Sequence, residues 1–93
     1  MPDGIVIIPT YNEKENIERI IRNVFSLQRN FHILVVDDNS PDGTAAIVES
    51  LQPAYLDQLF LIKRKGKSGL GTAYIKGFRW VLEREYKYVF QMD

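Results

Sequence analysis

Four apolar residues, Ile33-Leu34-Val35-Val36, run directly into Asp37-Asp38-Asn39-Ser40-Pro41-Asp42-Gly43-Thr44, which sets two adjacent carboxylates where an apolar strand ends. Carboxylates so placed can accept hydrogen bonds from the N–H edge of a nucleobase or from ribose hydroxyls. The same residue types also cap helices and make turns, so the cluster alone leaves both readings open. A first apolar run, Ile5-Val6-Ile7-Ile8, is followed by Pro9-Thr10-Tyr11-Asn12-Glu13, an aromatic face beside polar acceptors. A base stacked on such a ring gains about 1–3 kcal/mol, although a loop tyrosine also serves plain packing. After a third run come Lys63, Arg64, Lys65 and Lys67, then Gly69 and Gly71. Lysine and backbone N–H groups at a helix start can hold a diphosphate, and a basic stretch can equally be a solvated connection.

The elements that must position these clusters follow from hydrophobic period. Ile5–Ile8 reads as a β-branched strand buried on both faces and ended by Pro9. A helix is predicted from Glu13, capped by Asn12, with Ile17, Ile20, Ile21, Val24 and Phe25 on its apolar face. Ile33–Val36 is a second buried strand, and a shorter helix from about Thr44 to Leu51 is closed by Pro53. Leu59–Lys63 is a third strand, Arg64–Gly71 a loop, and Leu70, Ala73, Tyr74, Gly77, Phe78, Val81 and Leu82 the stripe of a third helix. Tyr88–Met92 is a fourth strand. The alternation predicts an α/β fold: a four-stranded parallel sheet with right-handed crossovers and helices on both faces. In such a sheet the ligand crevice lies outside the carboxyl ends of the strands, which is where all three clusters fall.

Composition narrows the function classes. Over 93 residues, 12 Lys+Arg balance 12 Asp+Glu, so no overall field favours nucleic acid or an anionic membrane. One modest core, hence a single domain over residues 1–93, is what this length supports. No apolar run approaches the length of a spanning helix, and no segment is expected to cross a membrane or direct export. Cysteine is absent. His32 has no Cys or second His near it in sequence, which favours a surface or core-edge role over metal ligation, and Trp80 with its aromatic neighbours reads as core. Gly66-Lys67-Ser68 copies the tail of a phosphate-binding loop, but the glycine required five residues earlier is Leu61. The dinucleotide fingerprint is likewise missing after the first strand, which argues against an NAD enzyme.

Taken together, Ile8-Pro9-Thr10-Tyr11-Asn12-Glu13, Val35 to Thr44, and Lys67-Ser68-Gly69-Leu70-Gly71-Thr72-Ala73 resemble the family 2 glycosyltransferases of GT-A fold. Within that family they look most like the polyprenyl- or dolichyl-phosphate mannosyltransferases. The resemblance implies the Rossmann-like nucleotide-binding half of such an enzyme, a fragment of a longer transferase. Pro9, Tyr11, Glu13 and Asp38 would hold the base and ribose of the donor, with Asp37 supporting them, and Lys67 and Gly69 would lie beside the nucleotide or its phosphates. Asp93 falls where the family's metal motif begins, so a divalent cation, Mg2+ or Mn2+, is implied in the intact enzyme. The implied reaction moves a sugar, mannose from GDP-mannose, onto a lipid phosphate with inversion. The setting would be peripheral, at the cytoplasmic face of a membrane.

With the acceptor half absent, the 93-residue chain by itself is expected to be inactive and to contain no catalytic residue. Its last strand, carrying Tyr88, Val89, Phe90 and Met92, is expected to self-associate. Two other classes stay open: a receiver-like signalling domain, which also uses carboxylates at parallel strand ends but after the first strand, and a non-catalytic nucleotide-binding module.

Overall fold

A computed structural model describes residues 2–65 and 70–92. Its elements run β1 (Gly4–Thr10), α1 (Ile17–Ser26), β2 (Phe31–Asp37), α2 (Thr44–Leu51), β3 (Leu59–Lys63), α3 (Leu70–Leu82) and β4 (Val89–Gln91). A single 3-10 turn, Gln52–Tyr55, extends α2. The strands form one parallel sheet in the order β3-β2-β1-β4, which is the α/β architecture the alternating periods predict.

Because side chains of a strand alternate between faces, the apolar runs divide into two cores. Val6, Ile8, Ile33 and Val35 meet Ile17, Ile21 and Val24 of α1 and Val48 and Leu51 of α2. Ile5, Ile7, Leu34 and Val36 meet Ala73 and Val81 of α3 on the opposite face. A strand covered on both sides has no position for a polar residue, which explains the unbroken runs. At the far end of the α3 face, Trp80 packs on Phe60 with ring centroids 5.0 Å apart, and the Arg84 guanidinium lies 3.5 Å from the Trp80 ring. His32 is half-buried at the core edge, its Nδ1 2.7 Å from the Tyr86 hydroxyl, and burial lowers its pKa.

Several boundaries differ from those read in sequence. Pro9 lies inside β1, paired in register with Val36. Ile5 N–H donates to Tyr88 O and Ile7 O accepts from Met92 N–H, so alternate residues of β1 bond toward β4. The donor that Pro9 lacks would face that same side, past Gln91, the last paired residue of β4. A proline is tolerated there because no ladder bond is lost. Helix α1 starts at Ile17, not Glu13, and its N-cap is Asn16. Asn12 is no cap: it sits in left-handed conformation with φ 57°. Pro53 does not end the second helical segment outright, since it fits the first turn of the 3-10 extension. Leu82 is 83% exposed, outside the core of α3 to which its spacing assigned it. Tyr88 and Phe90, flanking and within the edge strand β4, are 54% and 44% exposed. Among the described residues no helix is long and apolar enough to cross a membrane.

Candidate functional site

The strand order reverses beside β1. The chain steps from β1 outward to β2 and β3 along one face, then crosses by α3 on the other face to β4 on the far side of β1. Loops leaving strands next to such a reversal diverge, and the space between them is the sheet's natural ligand crevice. Thr10, Asp37 and Lys63 end their strands side by side in register, so the first two polar clusters and the start of the basic stretch meet at one edge.

Asp37 is the hinge-pin of that edge. It is 1% exposed, and its carboxylate accepts from the Thr10 hydroxyl at 2.7 Å, the Ser40 hydroxyl at 2.6 Å and the Ser40 backbone N–H at 3.0 Å. A carboxylate can be buried this deeply only when several donors replace its water shell. Its main-chain oxygen accepts from Arg64 N–H at 2.7 Å, joining β2 to the start of the β3–α3 loop.

The loop after β1 is fastened to the loop after β2 by three consecutive amides. Asn12 N–H donates to the Ser40 hydroxyl at 3.0 Å, Glu13 N–H to the Thr44 hydroxyl at 3.0 Å, and Lys14 N–H to Asp42 Oδ2 at 3.1 Å. Between this fastening and α1 the chain makes a turn, in which Glu13 O accepts from the amides of Asn16 at 3.0 Å and Ile17 at 2.8 Å. Asp42 also accepts from the Thr44 hydroxyl at 2.6 Å and the Thr44 N–H at 3.0 Å. The Thr44 hydroxyl is the main reason the Asp42 carboxyl is held below its ordinary pKa, with the Lys14 amide contributing. Both loops carry a left-handed asparagine, Asn12 and Asn39, each at φ 57°, and Gly43 precedes α2 at φ 92°. Asparagine tolerates that region better than other side chains, and glycine enters it freely. Left-handed residues at strand ends commonly mark loops shaped for a ligand.

Asp38, the second carboxylate, faces a different partner. Both its oxygens are engaged by Arg64: Nε bonds Oδ1, and Nη2 lies 2.9 Å from Oδ2. The side chains of Asp38 and Arg64 are 7% and 14% exposed. Arg64 Nη1 also donates to the Thr72 hydroxyl in the first turn of α3 at 3.1 Å. Lys63, next to it, reaches Glu49 of α2 at 3.4 Å. Two cations of the basic stretch thus already face carboxylates, which argues against reading the whole stretch as a diphosphate cradle.

Of the residues singled out in sequence, Pro9, Tyr11, Glu13, Asp37 and Asp38 stand together at the carboxyl ends of β1 and β2. Tyr11 is 38% exposed, and Pro9 and Glu13 are half-buried. Lys67, Gly69 and Asp93 lie outside the described residues. Sequence reasoning treated Ser40, Asp42 and Thr44 as turn and cap residues and missed that they tie the two loops together. It also missed the pairing of Arg64 with Asp38. The signal for that pair was present: each is the first residue after its strand, and strands adjacent in register bring such positions together. Spacing alone does not reveal which strands are adjacent.

A family model described as Glycosyl transferase family 2 matches residues 5–93. The polyprenol monophosphomannose synthase of Mycolicibacterium smegmatis is 48% identical over 89 residues, which cover 96% of this chain and 34% of that protein. The undecaprenyl-phosphate mannosyltransferase of Micrococcus luteus is 42% identical over 89 residues, covering 96% and 36% respectively. The chain therefore spans about a third of the length of these relatives. Among solved structures, the mannosyltransferase PcManGT from Pyrobaculum calidifontis, in complex with GDP-Man and Mn2+, superposes with a TM-score of 0.82. It is 28% identical, and the match covers 95% of this chain and 26% of that one. With the loops after β1 and β2 where their motifs predict and a family match across nearly the whole sequence, the chain belongs to glycosyl transferase family 2.

Proposed function

We propose that this chain is the nucleotide-sugar-binding part of an inverting mannosyltransferase that uses GDP-mannose as donor and a polyprenyl or dolichyl phosphate as acceptor. The observation that carries the reading is the joining of the Tyr11–Glu13 and Asp37–Thr44 loops by side-chain-to-amide bonds at the strand-order reversal. That bracing fixes an exposed aromatic ring and a buried carboxylate on one rim, the pair of groups a nucleoside requires. The names of the two relatives support the lipid-phosphate acceptor, and the GDP-Man complex of the structural neighbour supports the donor.

In this reading Tyr11 offers a stacking face for the base, Asp38 accepts from its N–H edge, and Pro9 and Glu13 border the ribose. Asp37 supports the rim from below. Lys67 and Gly69 stand beside the phosphates. The acceptor phosphate attacks the anomeric carbon from the side opposite the departing diphosphate, inverting it. A phosphate oxygen already ionised near neutral pH needs little help from a general base. A lipid acceptor places the enzyme at a membrane surface, peripheral and on the cytoplasmic side.

A divalent cation belongs to this proposal as well, with Asp93 as one ligand. The described residues do not themselves fit one: no group of three or more His, Asp or Glu among them could hold a metal ion. The carboxylates at the end of β2 are already bonded, Asp37 to Thr10 and Ser40 and Asp38 to Arg64.

Isothermal titration of the chain with GDP tests the reading. Asp38→Ala is expected to weaken binding by about 1.5–3 kcal/mol, the usual worth of a hydrogen bond to a charged acceptor, while the far-ultraviolet circular dichroism stays that of the parent. Equal GDP affinity in variant and parent would remove Asp38 from the site. The exposed aromatic groups of the β4 edge, Tyr88 and Phe90, support self-association of the isolated chain through that strand. Sedimentation velocity is expected to show dimers or larger species, and a monomer at high concentration would rule that out.

A further inference from the structure

We propose that the outward face of α3 is a docking surface for an anionic lipid bilayer, seating the strand-end crevice beside the headgroup layer. The proposal rests on the reading of the acceptor as a lipid phosphate and adds which side of the molecule meets the lipid.

Helix α3 gives one face to the sheet, where Ala73, Gly77 and Val81 are buried. At 3.6 residues per turn, Ile75 and Leu82 fall on the opposite face, two turns apart and nearly in line. They are 53% and 83% exposed. Half-buried Phe78 lies between that line and the sheet, so apolar surface continues round one side of the helix.

The other side of the same face is basic. Lys76 and Arg79 are exposed, and among the described residues no carboxylate pairs with either. The helix itself, Leu70–Leu82, contains no acidic residue. Glu83 follows it, and the Arg84 guanidinium stands 4.0 Å from that carboxylate. Single exposed apolar residues such as Leu27 and Leu56 are normal on a soluble protein and need no partner. An apolar line bordered by unpaired cations on one helix face is different. Its aliphatic side chains suit the boundary between acyl chains and headgroups, while the long basic ones reach up to the phosphates. With 12 Lys+Arg against 12 Asp+Glu over the chain, attraction to an anionic surface has to come from a local patch of this kind.

The patch is also well placed for a lipid-borne acceptor. The first turn of α3 carries Thr72, which accepts from Arg64 at 3.1 Å beside the crevice. A helix is about 10 Å across, so with its outward face on the bilayer the strand ends stand about one helix diameter from the headgroups. A phosphate carried on a lipid then approaches the crevice from the α3 side.

Co-sedimentation tests this with vesicles of phosphatidylcholine alone and of an equimolar mixture with phosphatidylglycerol. Each cation near an anionic surface strengthens association about fivefold, so the parent is expected to prefer the mixed vesicles by about twenty-fivefold. Lys76→Gln with Arg79→Gln is expected to lose most of that preference. Ile75→Ser with Leu82→Ser is expected to weaken binding to the mixed vesicles by about tenfold or more, whereas Leu56→Ser, at a position 72% exposed elsewhere, leaves it unchanged. All these variants are expected to keep the parent's circular dichroism and GDP affinity, since none of the side chains lies in the crevice. A parent that ignores both kinds of vesicle, or binding that survives Ile75→Ser with Leu82→Ser, would overturn the proposal. If those two substitutions instead abolish a dimer of a parent that binds no vesicle, the face is a contact between copies. Vesicle binding through α3 by a parent that does not bind GDP would overturn the nucleotide reading and leave the docking surface standing.

Discussion

Replacing Asp37 with alanine is expected to cost about 3–5 kcal/mol of folding stability, on the scale set by hydrogen bonds to a charged acceptor and the donors left without one. The substitution removes three bonds at a position only 1% exposed and leaves the Thr10 hydroxyl and the Ser40 amide without their acceptor. A chain of 93 residues has a total stability of about 5–14 kcal/mol, so about a fifth of it or more is at stake. In a domain of this size each kcal/mol moves the melting temperature by roughly 4–8 °C, and the melt should shift down by at least 12 °C or so. Asp37→Asn keeps the volume and one acceptor oxygen but turns an amide NH2 toward donors, and its loss should be intermediate. The effect reaches the site because Ser40, released from Asp37, is the acceptor for the Asn12 amide. Thermal denaturation followed by circular dichroism checks this, and a shift of only a few degrees would mean that Asp37 is not the support the hydrogen bonds describe.

How much of this was legible beforehand depends on the kind of information a residue carries. The runs Ile5–Ile8 and Ile33–Val36 gave their strands because a doubly covered strand leaves one signature in sequence, an absence of polar alternation. The apolar stripe from Leu70 to Leu82 marks the third helix, whose observed bounds are the same two residues, while the loop expected to run to Gly71 ends before Leu70 begins the helix. Pro9 misled because its rule concerns ladder bonds, and whether one is lost depends on how far the neighbouring strand extends. The start of α1 is set too early by local pattern, which does not separate a first helical turn from a turn that precedes one: residues 14 to 16 form such a turn, with Glu13 O accepting from Asn16 and Ile17 N–H.

The site shows the same division. Asp37 and Asp38 were equally eye-catching as neighbours in sequence, but successive residues at a strand end point to different sides. One became an internal tie for Thr10 and Ser40, the other the partner of Arg64. The basic stretch illustrates the converse: Lys63 and Arg64 looked like free charge until the register Asp37↔Lys63 set them against Glu49 and Asp38. Charge along a chain is local, while its neutralisation is a property of the fold.

Gly77→Val is expected to destabilise the chain by about 2–3 kcal/mol, the usual cost of forcing extra atoms into a packed core. A Cβ at position 77 would stand 2.8 Å from Ile7 Cγ2 and 3.2 Å from its Cδ1. Ile7 is fully buried in β1, the strand held between β2 and β4, so it has nowhere to retreat. Ala73, Gly77 and Val81 recur at four-residue spacing along α3, and at the glycine the helix lies close against Ile7 of the sheet. Gly77→Ala adds only the Cβ, and the helix propensity it gains, about 1 kcal/mol, offsets part of the clash. The consequence for the site runs along the helix: an α3 lifted from β1 carries Thr72 away from Arg64, which it now meets at 3.1 Å. Pairing Gly77→Ala with Ile7→Ala should cost less than the sum of the single changes, because alanine at position 7 removes both the Cγ2 and the Cδ1 that crowd the new atom. Chemical denaturation of the four proteins measures that coupling. Additive losses, or a Gly77→Val chain as stable as the parent, would show that helix and sheet are not in contact at this glycine.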